Sequence, residues 1–316
     1  MRLVRVLSIA AALAGCAAAR AAEMKTVKVL AVGNSFSANA LKYFGDIVKA
    51  SGNRTVAQNA MIGGCDFERH MRHADAFEKD PKDPEGRPYP GKKSLKDLLT
   101  QEKWDYVTIQ QASPKSFRPE TFHPHADRLI AYIRKYAPQA EIVIHETWAY
   151  RDDHRWFVDH DKNPDQPVNR DAMYKGVRAA YDGLAKDTGF RMIPCGDAME
   201  SARRDPAWGK FEPDPAFDAK AAVYPALPKN EKHSLQNGYS WRKDAKTGKC
   251  ALGKDAFHAN PTGEYLLGCV WFEFFFGQSA VGNGFVPKGV PAADCAVMQR
   301  IAHRLVTEKQ RPEPLP

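Results

Sequence analysis

Short apolar runs alternate with helix-period segments along this chain. Val27 to Val32 is strand-like and stops abruptly at Gly33-Asn34-Ser35. Ala38 to Ala50 follows, with Leu41, Phe44, Ile47 and Val48 at helical spacing. The same patterning predicts strands at Thr55 to Asn59, Tyr106 to Ile109, Ile142 to Ile144 and Arg191 to Ile193. Helices are predicted at Asp127 to Tyr136 and Met173 to Asp187. Strands separated by amphipathic helices pair in parallel through right-handed crossovers. The predicted fold is therefore a three-layer α/β/α sandwich with a mostly parallel sheet of about five strands.

Three stretches fall outside this rhythm. Residues 78 to 93 are charged and rich in Pro and Gly, which predicts a surface loop. Residues 149–170 and 200–254 are long polar insertions carrying aromatic side chains. Long loops at the C-terminal ends of parallel strands commonly build the binding site. Tyr265 to Phe276 is the richest apolar run, but Glu273 interrupts it. It reads as a core helix with Leu266, Val270, Trp271, Phe274 and Phe275 on one stripe. No internal repeat is visible, so residues 23–310 are expected to form one domain with two insertions, followed by a frayed tail at 311–316.

Composition adds little to the fold and more to the compartment. With 43% hydrophobic and 27% charged residues the chain is ordinary for a globular protein. Residues 1–22 resemble a secretory signal: a basic start with Arg2 and Arg5, an apolar run from Val6 to Ala14, then Ala19-Arg20-Ala21. Leu13-Ala14-Gly15-Cys16 also resembles a bacterial lipobox, in which Cys16 would carry lipid and form the only membrane attachment. Either cleavage predicts an extracytoplasmic protein, periplasmic or secreted. Loss of Arg2, Arg5 and Arg20 lowers the formal charge from +8 by three. The remaining basic excess has no dense Lys/Arg run, so nucleic acid is not an expected partner, whereas an acidic polysaccharide is compatible. Cys65, Cys195, Cys250, Cys269 and Cys295 remain; an odd number leaves at least one thiol unpaired, and their spacing fixes no connectivity.

The chemistry follows from the topology. In a parallel sheet the strand C-termini share one edge, so Ser35, Gly63-Gly64 and Gln110-Gln111 become neighbours. Far downstream, Asp255-Ala256-Phe257-His258 precedes the long apolar helix. A hydrolytic serine needs a base in reach, a group that orients the base, and donors aimed at the oxyanion. His258 and Asp255 can be base and orienter, because i, i+3 spacing lets one loop present both.

These blocks resemble the SGNH, or GDSL-like, hydrolase superfamily. Gly33-Asn34-Ser35-Phe36-Ser37 is similar to its first block, whose serine is the nucleophile. Asn59 followed five residues later by Gly64 is similar to the second, which supplies an oxyanion glycine. Asp255-x-x-His258 is similar to the last, which supplies acid and base. More narrowly, IGGCDFERH, VTIQQAS, ETWAY and DAFHANPTGEYLLGCVWFEFFFG resemble a little-characterised bacterial branch described as a domain of unknown function. The resemblance implies a flavodoxin-like SGNH fold, catalytic Ser35, Asp255 and His258, oxyanion-hole donors at Ser35 and Gly64, and no cofactor.

Two departures stand out. Asn34 replaces the usual Asp, and the third block lacks G-x-N-D, so Gln110, or alternatively Gln111, is expected to replace the missing Asn amide. His123, His125, His154, Asp159, His160 and Asp161 show no three-ligand spacing, so no metal site is expected. His70 and His73 are expected on a helix surface. Trp148, Trp156 and Trp241 are candidates for stacking on sugar rings. The expected activity is removal of acyl groups, acetyl among them, from a carbohydrate. The alternatives are a non-catalytic glycan-binding or cell-surface protein on the same fold, and a metal-dependent phosphoesterase using the 152–161 loop.

Overall fold

A computed structural model describes residues 24–310, the side chains of 309 and 310 excepted; the leader and the tail predicted at 311–316 lie outside the described residues. The chain runs β1 (Thr26–Gly33), α1 (Ser35–Leu41), α2 (Phe44–Ala50), β2 (Arg54–Met61), α3 (Phe67–Lys79), α4 (Leu95–Thr100) and β3 (Tyr106–Ile109). It continues through α5 (His125–Tyr136), β4 (Glu141–His145), α6 (Arg155–Val158), α7 (Arg170–Thr188), β5 (Met192–Ile193) and α8 (Cys195–Arg204). β6 (Tyr239–Lys243), β7 (Cys250–Lys254), α9 (Pro261–Phe276) and α10 (Ala292–Gln310) complete it.

The five main strands form one parallel sheet in the order β2-β1-β3-β4-β5. β1 is interior, between β2 and β3, with Val29, Leu30, Ala31 and Val32 fully buried, as a strand covered on both faces requires. One layer contains α1, α2, α8, α9 and α10. On the opposite face α3, α4 and α5 pack together, and Tyr181 of α7 joins them edge-on to Phe122. The predicted α/β fold is observed, and the order reverses beside β1, where open α/β sheets place their ligands.

α9 has apolar residues around its whole circumference and is buried throughout its length after the first turn. Asn260 caps it by accepting from the Gly263 N–H, and Pro261 occupies the first turn, where a missing N–H costs nothing. The segment expected as one helix from Ala38 to Ala50 is instead two, broken at Lys42-Tyr43. Gly268 of α9 approaches the backbone at this break so closely that a Cβ would sit 3.3 Å from Phe44 N. Packing against α9 thus takes precedence over helix continuity.

The insertion beginning at residue 200 contains order that its sequence did not signal. β6 and β7 form an antiparallel hairpin, and Gln236 pairs with Ala259 in an isolated antiparallel bridge. His70 and His73 are not on the helix surface: both are buried, with His70 Nδ1 2.8 Å from Tyr89 Oη and His73 Nδ1 2.7 Å from the Glu85 carbonyl. No disulfide links Cys65, Cys195, Cys250, Cys269 and Cys295, which are all free thiols. Among the described residues no helix is long and apolar enough to cross a membrane.

Candidate active site

β1 delivers Gly33-Asn34-Ser35 directly into α1. Gly33 has no room for a side chain, since a Cβ would meet Ser37 Oγ at 2.7 Å and the Gln110 amide at 2.8 Å. Asn34 caps α1: its Oδ1 accepts from Phe36 N at 2.9 Å, and its Nδ2 donates to the Cys65 carbonyl at 2.9 Å. That second bond ties the β1 turn to the β2 turn, and the Ile62 N–H donates to the Gly33 carbonyl. An aspartate at position 34 would have no N–H for Cys65, so asparagine suits this turn. Asn59 lies behind it, its amide 2.9 Å from Ser37 Oγ.

Ser35 Oγ stands 2.8 Å from His258 Nε2, and His258 Nδ1 stands 2.9 Å from Asp255 Oδ2. The other Asp255 oxygen accepts from the backbone N–H groups of His258 at 2.9 Å and Phe257 at 3.2 Å. Burial pushes the Asp255 carboxyl up, but the His258 ring and these N–H groups outweigh it and hold it below its usual value. Asp255 is therefore ionised at neutral pH and accepts a proton-bearing Nδ1, which leaves Nε2 free to accept from the serine.

The D-x-x-H loop is held in a backbone conformation that β-carbon residues seldom adopt. Ala256 has φ 60° and is fully buried. Its N–H donates to the Asn237 carbonyl and its carbonyl accepts from Arg151 N at 2.8 Å. The His258 carbonyl accepts from Asn237 N, and Asp255 N donates to Gly238. Residues 237–238 thus fix the base, and the second insertion serves as its frame.

Ser35, Gly63, Gly64 and His258 open into a cavity of about 490 Å³. Tyr150, His154, Trp156, Phe257 and Phe36 give it an aromatic wall, and Ser113 with Pro114 forms another side. Gly64 adopts φ 62°, a region that favours glycine. Among the described residues neither the Ser35 N–H nor the Gly64 N–H donates to another protein group.

The structure revises three assignments made from sequence. Gln110 is 1% exposed and does not line the cavity; its Nε2 donates to Asn34 Oδ1 at 2.9 Å, so it braces the turn. Gln111 is also committed elsewhere, with its amide N–H on Thr121 and its carbonyl on Ala112 N. Trp148 is fully buried, stacked on Phe36 with centroids 4.1 Å apart and donating to the Phe257 carbonyl. It supports Ser35's neighbour and the D-x-x-H loop from beneath and is closed to a sugar. Trp241 sits in β6, donates to the Ala226 carbonyl and does not reach the cavity, whereas Trp156 does line it.

Sequence patterning missed Ser113, Tyr150 and His154 as site residues. Ser113 Oγ and Tyr150 Oη are 2.9 Å apart, both nearly buried. Burial pushes the Tyr150 hydroxyl up, so it stays protonated. The His154 ring is pushed down to about 4, chiefly by burial and next by Arg155, so it is neutral at pH 7. Only the position of Ser113, just after β3, could have marked it in advance. No group of three His, Cys, Asp or Glu side chains gathers as metal ligands among the described residues.

Fold and site together define an α/β protein with a five-stranded parallel sheet and a serine–histidine–aspartate chain at the C-terminal end of β1. Residues 28–207 match the model for a domain of unknown function, DUF4886, and the chain belongs to that family. A DUF4886 family protein from Bacteroides uniformis is 25% identical, over 90% of this chain and 96% of that one, with a TM-score of 0.66. Weaker similarity extends to a psychrotrophic esterase from Pseudoalteromonas sp. (15% identity, 55% of this chain and 80% of that one, TM-score 0.34). A GDSL-like lipase from Bacteroides thetaiotaomicron is 13% identical, over 52% of this chain and 67% of that one, with a TM-score of 0.28. No curated protein matches the chain.

Proposed function

We propose that this protein is an SGNH-type serine ester hydrolase, acting outside the cytoplasm as a single domain to remove acyl groups such as acetyl from a carbohydrate. The observation that carries the reading is the unbroken relay from Ser35 Oγ to His258 at 2.8 Å and on to Asp255 at 2.9 Å. His258 takes the Ser35 proton as Oγ attacks the ester carbonyl. It then passes that proton to the departing alcohol, leaving an acyl-serine. Water, deprotonated by the same ring, attacks the acyl-serine; the ring then returns that proton to the departing Oγ, releasing the acid and restoring Ser35.

The developing oxyanion lies between the free N–H groups of Ser35 and Gly64. With Gln110 committed to Asn34, the Ser113–Tyr150 pair supplies the third donor. One hydroxyl of that pair donates to the other, so one O–H remains free to turn toward the cavity. Trp156 and Phe257 provide faces on which a sugar ring stacks, which supports a carbohydrate alcohol. No cofactor enters this chemistry.

A second reading, a non-catalytic glycan-binding protein, is favoured by one observation: the Gln110 amide is turned away from the cavity. Labelling by a fluorophosphonate probe, together with acetate release from p-nitrophenyl acetate and acetylated polysaccharides, separates the two. The esterase reading expects labelling and release in the natural protein and neither in Ser35→Ala. Equal signals from both proteins, or none from either, would transfer support to the binding role.

A further inference from the structure

A second cavity of about 470 Å³ adjoins the first and shares His154, Arg155 and Phe257 with it. Arg242, Lys254 and Asp255 complete its charged lining. Its acidic member is already engaged, because Asp255 faces the His258 ring and two backbone N–H groups. Lys254 is engaged as well, its Nζ donating to the Asp153 carbonyl at 2.8 Å and lying 3.2 Å from the Asp153 carboxylate that Arg151 also holds. The two arginines differ. Among the described residues neither Arg155 nor Arg242 has an ion pair or a side-chain hydrogen bond, and both are exposed at the cavity.

Uncompensated guanidinium groups around a concavity attract anions, and the planar fork of arginine fits a carboxylate better than a point charge does. The orientation of the catalytic groups says which half of an ester meets them. Gly64 lines only the first cavity, on the oxyanion side. The second cavity contains Asp255 and Phe257, behind the histidine that protonates the leaving alcohol. It therefore adjoins the first cavity, through His154, Arg155 and Phe257, on a side that the oxyanion glycine does not line, which leaves it to the alcohol half of the ester.

We propose that this second cavity is an anion subsite, in which Arg155 and Arg242 bind a carboxylate carried by the alcohol half of the ester. The substrate class that follows is an acylated glycan containing uronic acid. This assignment rests on the esterase reading of the first cavity. The basic excess of the chain, +8 formally and +5 once Arg2, Arg5 and Arg20 are lost, acts in the same direction by drawing an acidic polymer to the surface.

Binding and turnover test the subsite separately. Calorimetry on Ser35→Ala protein compares trigalacturonate with its carboxyl-reduced, neutral counterpart. Each exposed arginine–carboxylate pair is expected to contribute about a two- to fivefold preference, so the two together give about tenfold tighter binding of the acid. That preference should weaken with added salt and disappear in the Arg155→Ala/Arg242→Ala protein. In turnover, Arg242→Glu should lower kcat/KM for acetylated galacturonate oligomers by about tenfold relative to acetylated xylo-oligomers. Equal binding of acid and neutral sugar overturns the subsite even if the esterase is active. Tighter binding of a sulfated oligosaccharide than of trigalacturonate overturns the carboxylate assignment. Acid-selective binding without hydrolysis of any ester supports the anion site and overturns the esterase reading on its own.

Discussion

Replacing Asp255 with asparagine changes one oxygen to an NH₂ group and leaves the volume unchanged. Asp255 accepts three hydrogen bonds, one from the His258 ring at 2.9 Å and two from backbone N–H groups at 2.9 and 3.2 Å. An amide cannot satisfy both sets. If its NH₂ faces the ring, Nδ1 must become the acceptor and Nε2 acquires the hydrogen, so the ring no longer accepts the Ser35 proton. If its NH₂ faces the backbone, donors confront donors and the loop around Ala256 loosens. The ionised carboxylate is also lost, and a charge-assisted hydrogen bond contributes about 1.5–3 kcal/mol. Adding the wrong tautomer brings the expected fall in kcat to roughly 10³- to 10⁴-fold, in the range seen when a triad aspartate is made neutral. KM should change little, because Asp255 does not touch the acyl group. Steady-state hydrolysis of p-nitrophenyl acetate, with the thermal midpoint measured alongside, checks the fold and the rate together. An Asp255→Asn protein that folds and keeps a tenth of the natural kcat would refute the relay.

Two further outcomes follow from the same geometry. Ser113→Ala/Tyr150→Phe should lower kcat roughly 10²-fold with KM nearly unchanged, since the third oxyanion donor is removed, while either single change should cost less because the other hydroxyl remains; a double-variant rate equal to the natural one dismisses the third donor. The buried histidines predict acid sensitivity. His70 and His145 are pushed down to about 3 and His154 to about 4, each chiefly by burial. Their unfolded counterparts protonate near pH 6.5, so the unfolded state holds more protons throughout the interval below that value. Their contribution is complete above about pH 6.5 and is lost as pH falls toward 4, at roughly 1.4 kcal/mol per pH unit for each ring. A urea midpoint that stays constant from pH 7 to 4.5 would contradict this.

The outline of both fold and site was legible in local patterns. Val29 to Val32 signalled an interior strand because a fully buried strand has to be apolar at every position. Asp255-x-x-His258 signalled base and orienter because both lie on one short loop. What escaped detection depended on distant partners. His70 falls in the stripe Phe67, His70, Met71, Ala74, Phe77, all buried on α3, and that spacing outweighs the polarity of its side chain. Whether the Gln110 amide meets a ligand or Asn34 depends on how β1 and β3 abut, which neither segment encodes alone. Trp148 was indistinguishable from a binding aromatic until Phe36 was seen stacked on it. The β6–β7 hairpin lies in a stretch too polar for its alternation to stand out.

Residues 237–238, which fix the backbone of the base loop, come late in the chain, and the base comes later still. Ser35 and His258 are separated by 223 positions. All five strands of the main sheet are complete by Ile193. During synthesis the nucleophile, its turn and both glycines therefore emerge while no proton acceptor yet exists. A nascent or truncated chain ending near residue 207 would present a serine as inert as any in solvent. The Ser35–His258–Asp255 relay is complete only when the second insertion has been added, so the order of translation itself withholds the proposed base from an unfinished chain.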